Sequence, residues 1–403
     1  MQRDSERVAR IVQTLERIGL DTIVCSLPSN VLLLTGYWPV VGTAVAVASK
    51  AGMVGLVAPS DERDLVEAGW ADEVRFFESG STDEIRSLAA TIQPHLERLL
   101  RVLGIGAGRV GWESGAASQP CSYAEMHLYG AAMSGLLQQA GAAALVPAGE
   151  LLAVLRSRPT AGELQRIRIA CALAERAFQA GARVVRPGQK ETEVAAAFRQ
   201  PLQSPSDALG AARFDGFAFC MSGPNSGTAY GAYARSRERP VTPGDLLLLH
   251  ANSYADGYWT DITRTYCLGE PNQRQRRMYQ AVFAAREAAL AAIRPGVPAE
   301  RVDRAARQQL ASHGFGREFK HPTGHGVGFA AIDHNALPRI HPRSEDRLES
   351  GMVFNVEPAI YVDGIEGLRH CDMVAVTDTG VELLTPFHSS LEQLTLPLQK
   401  PAE

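Results

Sequence analysis

Two stretches of the chain are each built to fold back on themselves, and a glycine-framed histidine lies between them in sequence. The first is LLLLHANSYADGYWTDITRTY, Leu246 to Tyr266, and the second is FNVEPAIYVDGIEGLRHCDMVAV, Phe354 to Val376. Each sets an Asp-Gly pair, Asp256-Gly257 or Asp363-Gly364, between runs rich in β-branched and aromatic residues, which is a hairpin signature. A turn centred between Ala255 and Asp256 puts His250 opposite Asp261, and directly facing side chains of an antiparallel pair lie about 5 Å apart. Glu357 and Cys371 lie seven residues either side of Gly364, so the second hairpin faces them in the same way. With the TGHGVG loop at Thr323 to Gly328, the pattern predicts one site gathering His250, Asp261, His325, Glu357 and Cys371. A lone carboxylate ending an apolar strand is ordinarily a cap or half of an ion pair. Two facing pairs of ligand-type side chains and a histidine framed by glycines point to chemistry instead.

The rest of the chain narrows the class. At 403 residues and 45% apolar it can bury a large core and is expected to form two domains. A net charge of −4, with no block of Lys or Arg, gives no support for a nucleic-acid or anionic-membrane partner. The N-terminus MQRDSERVARIV lacks the apolar core of a signal peptide, and no apolar run approaches the ~18 residues of a membrane span. Cys25, Cys121, Cys171, Cys220, Cys267 and Cys371 are scattered without a CxxC pair, so a reduced, cytoplasmic protein is expected.

Periodicity predicts a helix over Ser5 to Ile18, with Val8, Ile11, Val12, Leu15 and Ile18 on one face and Gly19 as its stop. Strand-like runs follow at 21–26, 44–49, 53–58 and 110–112, alternating with helical stretches near 83–101 and 122–135, where Ser122 and Glu125 fit a capping box. That alternation predicts an α/β layer domain over residues 1–155. The glycines Gly104, Gly106 and Gly108 lead into a strand instead of opening a helix, so they read as a turn and not as a phosphate cradle. A second capping box, Thr160 to Glu163, opens a helix to about Ala182 and begins an α+β domain over 156–403. Within it a helix-pair-then-hairpin unit occurs twice, with helices expected near 273–294 and 299–313.

The segments Pro243-Gly-Asp-Leu, Gly257 to Thr265, Gly324 to Gly328, Gly351 to Pro358 and Gly367 to Asp372 resemble, in order and spacing, the pita-bread superfamily of methionine aminopeptidase, aminopeptidase P, prolidase and creatinase. Pro28-Ser-Asn30 through Gly36-Tyr37 resembles the smaller N-terminal domain of its creatinase and prolidase branches. The resemblance implies an α+β pita-bread catalytic domain behind a smaller α/β creatinase-like N-terminal domain, a homodimer, and a small-molecule or short-peptide substrate. By position it implies metal-ligand roles for Asp261, His325 and Glu357. It also locates two departures: His250 stands where the family has an aspartate, and Cys371 where it has a glutamate. Tyr230 ends a loop that ordinarily ends in histidine, and His334 matches the substrate-facing histidine, although Asn335 follows where a glutamate is usual.

These exchanges remove two bridging carboxylates, and a single imidazole nitrogen or a soft thiolate cannot hold two hard cations together. Two readings stay open. In one, a single divalent ion (Zn, Fe or Mn) sits among Asp261, His325, Glu357 and Cys371, with His250 as a fifth ligand or a supporting group. In the other no metal binds, and His325 or His250 acts as base while Glu357 orients or shuttles a proton. His334 and Tyr230 are expected to stabilise a tetrahedral intermediate, and Arg369 to meet a carboxylate or substrate. Cys371 is either a ligand, a nucleophile or an inert filler, and His370 is structural. The leading expectation is a creatinase-like hydrolase of a C–N bond in a small molecule. The alternatives are an Xaa-Pro metallopeptidase of the aminopeptidase P or prolidase type, or a lyase or non-catalytic binding module on the same fold.

Overall fold

A computed structural model describes residues 3–40, 43–78, 86–104, 108–113, 130–205, 207–230 and 235–398. The chain divides into two units, Met1–Arg156 and Ser157–Glu403. Among the described residues no helix is long and apolar enough to cross a membrane.

The first unit contains helices α1 (Ser5–Ile18), α2 (Pro28–Thr35), α3 (Arg63–Glu67), α4 (Leu88–Val102), α5 (Gly130–Gln139) and α6 (Gly149–Ser157). They accompany strands β1 (Thr22–Cys25), β2 (Val45–Ser49), β3 (Val54–Pro59), β4 (Glu73–Phe77), β5 (Arg109–Trp112) and β6 (Ala144–Pro147) in one sheet of order β4-β3-β2-β1-β5-β6. The expected α1 forms because Asp4 accepts from the Arg7 amide at its start and Gly19 closes it in the left-handed region at φ 67°. Val24, Val45, Val47 and Val57 from the sheet pack with Ile92, Leu96 and Leu99 of α4. Periodicity did not find α2, whose eight residues are all buried and so carry no amphipathic signal. The half-buried Glu113 carboxylate holds its start, accepting from the Ser26 and Leu27 amides, the Ser26 hydroxyl and the Asn30 carboxamide. The expected capping box of Ser122 and Glu125 and the middle glycine Gly106 lie outside the described residues.

The second unit begins with the Thr160–Glu163 capping box, observed as reciprocal hydrogen bonds, opening α7 (Ala161–Val184) and followed by α8 (Glu191–Gln203). Strands β7 (Phe214–Ser222), β8 (Leu246–Ala255) and β9 (Tyr258–Leu268) form an antiparallel sheet, joined at its edge by β15 (Thr395–Leu396). Helices α9 (Gln273–Ala292) and α10 (Ala299–Ser312) precede β10 (Val353–Val356), β11 (Ala359–Val362), β12 (Glu366–Arg369), β13 (Asp372–Val376) and β14 (Val381–Leu383). Leu246 to Leu249 of β8, Ala281, Val282 and Ala285 of α9 and Phe354 of β10 belong to one core. The clustered strands and segregated helices are those of the expected α+β domain.

The first hairpin departs from the expected register. Asp256 (φ 50°) and Gly257 (φ 87°) form a two-residue turn in the left-handed region, which matches the right-handed twist of the flanking strands. Ala255 therefore pairs with Tyr258, His250 with Thr263, and Asn252 with Asp261. The slip moves the pairing by two residues, so His250 and Asp261 keep a common face as diagonal neighbours. The second hairpin turns at Gly364 as expected. One register runs through β11–β12 and β10–β13, and it leaves Glu357 and Cys371 at the junction between the two ladders.

Candidate active site

Three backbone connections bring the polar residues together. Cys371 and Thr263 form an isolated bridge, seating the second hairpin against β9 beside Asp261. The TGHGVG loop runs along β10, with the Asn355 amide donating to the His325 carbonyl at 3.0 Å. At its far end the Trp259 amide donates to the Gly328 carbonyl at 2.6 Å. Gly324 is demanded by this approach, since a Cβ there would lie 1.9 Å from the Asn355 carbonyl oxygen.

The result is a compact polar cluster. His325 Nε2 lies 3.2 Å from Asp261 Oδ2 and 3.8 Å from Glu357 Oε1. His250 Nδ1 lies 3.5 Å from Asp261 Oδ1 and 3.1 Å from the Thr263 hydroxyl. Arg369 donates through Nε to the Thr263 hydroxyl at 2.9 Å and sets Nη1 3.8 Å from Glu357 Oε2. Arg369 thus meets the carboxylate of Glu357 and not that of Asp261. The His334 ring stands edge-on to His325 with centroids 5.0 Å apart. Tyr230 is 40% exposed, with its ring against Tyr361 at 5.5 Å and under the Lys320 ammonium.

Burial and neighbours divide the titrating groups. Burial pushes Glu357 up to about 7 against the pull of Arg369 and His325. Burial opposes charge on His325, yet its hydrogen bond to Asp261 and the Glu357 carboxylate bring it up to about 9. Asp261 stays below the usual carboxylate value despite burial, because His250 and His325 face it. His250 is pushed down to about 4 by burial, with Arg369 and His325 adding to the effect, so it is neutral and a weak base. That low value counts against a general-base role for it. Burial also drives the Cys371 thiol well up, and its S–H points at the Asp261 carbonyl oxygen 3.2 Å away. A thiol that burial keeps protonated is a poor nucleophile, and it would serve as a ligand only by giving up that proton.

Two participants escaped sequence reasoning. Asn355, two residues before Glu357 and so on its face of the strand, places Nδ2 within 3.1–3.5 Å of His325 Nε2, Asp261 Oδ2 and Cys371 Sγ. Thr263, two residues after Asp261, joins His250 to Arg369. Strand period two, carried along each hairpin from the first carboxylate, is the signal that finds both.

The resemblance implies a cation at this place. One atom suits it: buried Asp261 Oδ1 has no hydrogen-bond partner. The rest of the donor set does not. The Cys371 sulfur is turned to the Asp261 carbonyl oxygen, the His250 nitrogen facing the site is at hydrogen-bonding distance from Thr263, and an amide nitrogen stands among the remaining donors. Among the described residues no three His, Cys, Asp or Glu side chains are placed to hold an ion. The residues in this arrangement do not fit the expected ligand set of Asp261, His325, Glu357, Cys371 and His250.

Residues 165–378 match metallopeptidase family M24, and residues 7–158 match the Creatinase/Prolidase N-terminal domain. The chain is 28% identical to the uncharacterized peptidase YqhT of Bacillus subtilis, over 94% of this chain and 97% of the relative. It is 26% identical to the Xaa-Pro dipeptidase of Pyrococcus horikoshii, over 96% and 99% respectively. The solved Xaa-Pro dipeptidase from Bacillus anthracis superposes with a TM-score of 0.78 at 25% identity, covering 97% of this chain and 99% of that one. The motifs, the two units and these matches agree: the chain belongs to metallopeptidase family M24, a hydrolase of C–N bonds whose pita-bread domain follows a creatinase-type N-terminal domain in sequence.

Proposed function

We propose that this chain hydrolyses short peptides at an Xaa-Pro bond. The observation that carries the reading is the meeting of Glu357, His325 and Arg369 in a chain that parallels Xaa-Pro dipeptidases along nearly its whole length. Glu357 as carboxylate takes a proton from water, whose oxygen attacks the scissile carbonyl carbon. Negative charge developing on the carbonyl oxygen is met by the His325 imidazolium and the Arg369 guanidinium, both already turned toward this place. The proton held on Glu357 then passes to the leaving ring nitrogen as the C–N bond breaks. Asp261 orients His325 through the 3.2 Å contact, and the His334 ring limits its movement.

The creatinase-like reading, ranked first from sequence, is the weaker of the two against peptidase relatives. It keeps one specific support, the exchange of two carboxylates for His250 and Cys371. One panel decides between them: Xaa-Pro dipeptides, the reversed Pro-Xaa dipeptides, proline-free dipeptides and small guanidino or ureido acids, with Glu357→Gln as control. Xaa-Pro turnover that falls about 10²–10⁴-fold in Glu357→Gln is expected. Folded wild-type protein that cleaves a small guanidino or ureido acid, and no Xaa-Pro dipeptide, sinks the peptidase reading.

A further inference from the structure

The Asn355 carboxamide occupies the middle of the cluster, and its orientation is fixed. Its Oδ1 accepts from the His325 backbone amide at 2.7 Å, a contact only the oxygen end can make. The Nδ2 end is therefore the one turned inward, toward Asp261 Oδ2 at 3.3 Å, His325 Nε2 at 3.1 Å and Cys371 Sγ at 3.5 Å. Those three atoms come from three separate pieces of chain: β9, the TGHGVG loop and the residue before β13. They surround one nitrogen as ligands surround an ion, but at greater distance. A zinc ion would need such atoms at about 2.0–2.3 Å, so ion and amide cannot share the position. Asn355 is fully buried, so it does not swing out without exposing unpaired polar groups. Charge agrees with geometry. With His250 and Cys371 in place of carboxylates, Asp261 and Glu357 are the anions left in the cluster, and they already face His325 and Arg369.

We propose that the Asn355 carboxamide takes the place of a bound cation in this chain, its two N–H groups held to Asp261 Oδ2 and Cys371 Sγ and its oxygen to the His325 backbone amide, in a site assembled without metal. Asn355 is then a positioning residue: its N–H groups hold two would-be ligands, Asp261 and Cys371, while its oxygen holds the backbone of the third, His325. The inference depends on the proposed function only for the identity of the site.

The test compares ion binding by three full-length proteins: wild type, the His250→Asp/Cys371→Glu double variant, and that double variant with Asn355→Thr added. Each is checked for folding by its thermal midpoint, dialysed against excess Mn²⁺ or Zn²⁺ and then against metal-free buffer, and read by elemental mass spectrometry and calorimetric titration. Wild type is expected to keep no stoichiometric ion, and removing Asn355 to raise the affinity of the double variant by about tenfold or more. A stoichiometric, chelator-removable ion in wild type overturns the proposal, as does equal affinity with and without Asn355. Asn355→Thr alone gives a second reading, since the His325 Nε2 nitrogen resonance should move when the inward amide goes; an unmoved resonance overturns the proposal equally. Ion content is read without turnover, so an enzyme inactive on Xaa-Pro peptides leaves this result standing.

Discussion

Cys371 and Asp372 are neighbours in the chain, yet their side chains enter two different kinds of buried polar cluster. Asp372 is fully compensated. Arg264, itself wholly buried, spends all five N–H groups: on the carbonyls of Thr263, Cys371, Thr385 and Phe387 and on Asp372 Oδ1. Arg286 and the Thr385 hydroxyl complete the shell, and against burial the Arg264 charge holds the Asp372 carboxyl far below its usual range. On the other side of the same strand the Asp261 cluster is incomplete. One carboxylate oxygen is unpartnered, Glu357 is pushed up and His325 is pushed up with it. The contrast teaches that this fold can satisfy a buried carboxylate in full, even though Arg286 Nη2 and the His370 ring nitrogens beside Asp372 have no hydrogen-bond partner. Groups left strained as around Asp261 are those with free energy to release on meeting substrate.

The comparison breaks most visibly at Arg264. Replacing it with methionine strands the Asp372 charge, and urea unfolding should show a loss of about 3–5 kcal/mol. Because Asp372 titrates far below its unfolded value of about 3.9, that contribution is present above this pH and lost as acid is added. A loss below about 1 kcal/mol would mean that the two clusters do not differ in kind.

The second expectation concerns pH. If Glu357 must be ionised and His325 protonated, kcat/KM rises to a plateau between about 7 and about 9 and falls about tenfold per unit outside it. Stability moves differently. Both groups have folded values above their unfolded ones, so the stability they contribute is full at low pH. Glu357 loses its share as pH rises through about 7, and His325 as pH rises through about 9. A flat profile from pH 5 to 10, measured on the best substrate of the panel, would remove both residues from the proton path. The smallest effect belongs to Cys371→Ser. A buried thiol that only donates to a carbonyl should leave turnover within a factor of about ten and stability within about 1–2 kcal/mol, read by steady-state kinetics and thermal melting. Abolished turnover would restore the nucleophile reading.

Much of the frame was legible before any coordinates. Gly19, the Thr160–Glu163 capping box and the Asp-Gly turns are local devices whose geometry depends on a few neighbouring residues. The Gly364 turn even carried the correct register for Glu357 and Cys371, because both strands keep period two from one turn to the end. The Asp256–Gly257 turn was read one residue off centre, since loop length and not only turn composition fixes which residues pair. Helix α2 and the edge strands β4 and β6 gave no usable pattern. The first is buried on every side, and the edge strands are short with no alternation of buried and exposed positions.

By itself, then, the sequence determined which polar residues could share a face and which two of the implied ligands were exchanged. What it could not decide was who fills the space those exchanges leave. That depended on a carboxamide from β10, a hydroxyl from β9 and a guanidinium from β12 arriving at one place from three strands. Period and turn chemistry act over a few residues along the chain. The pairing of a buried charge is settled across space, by whatever the packed core brings within hydrogen-bonding distance.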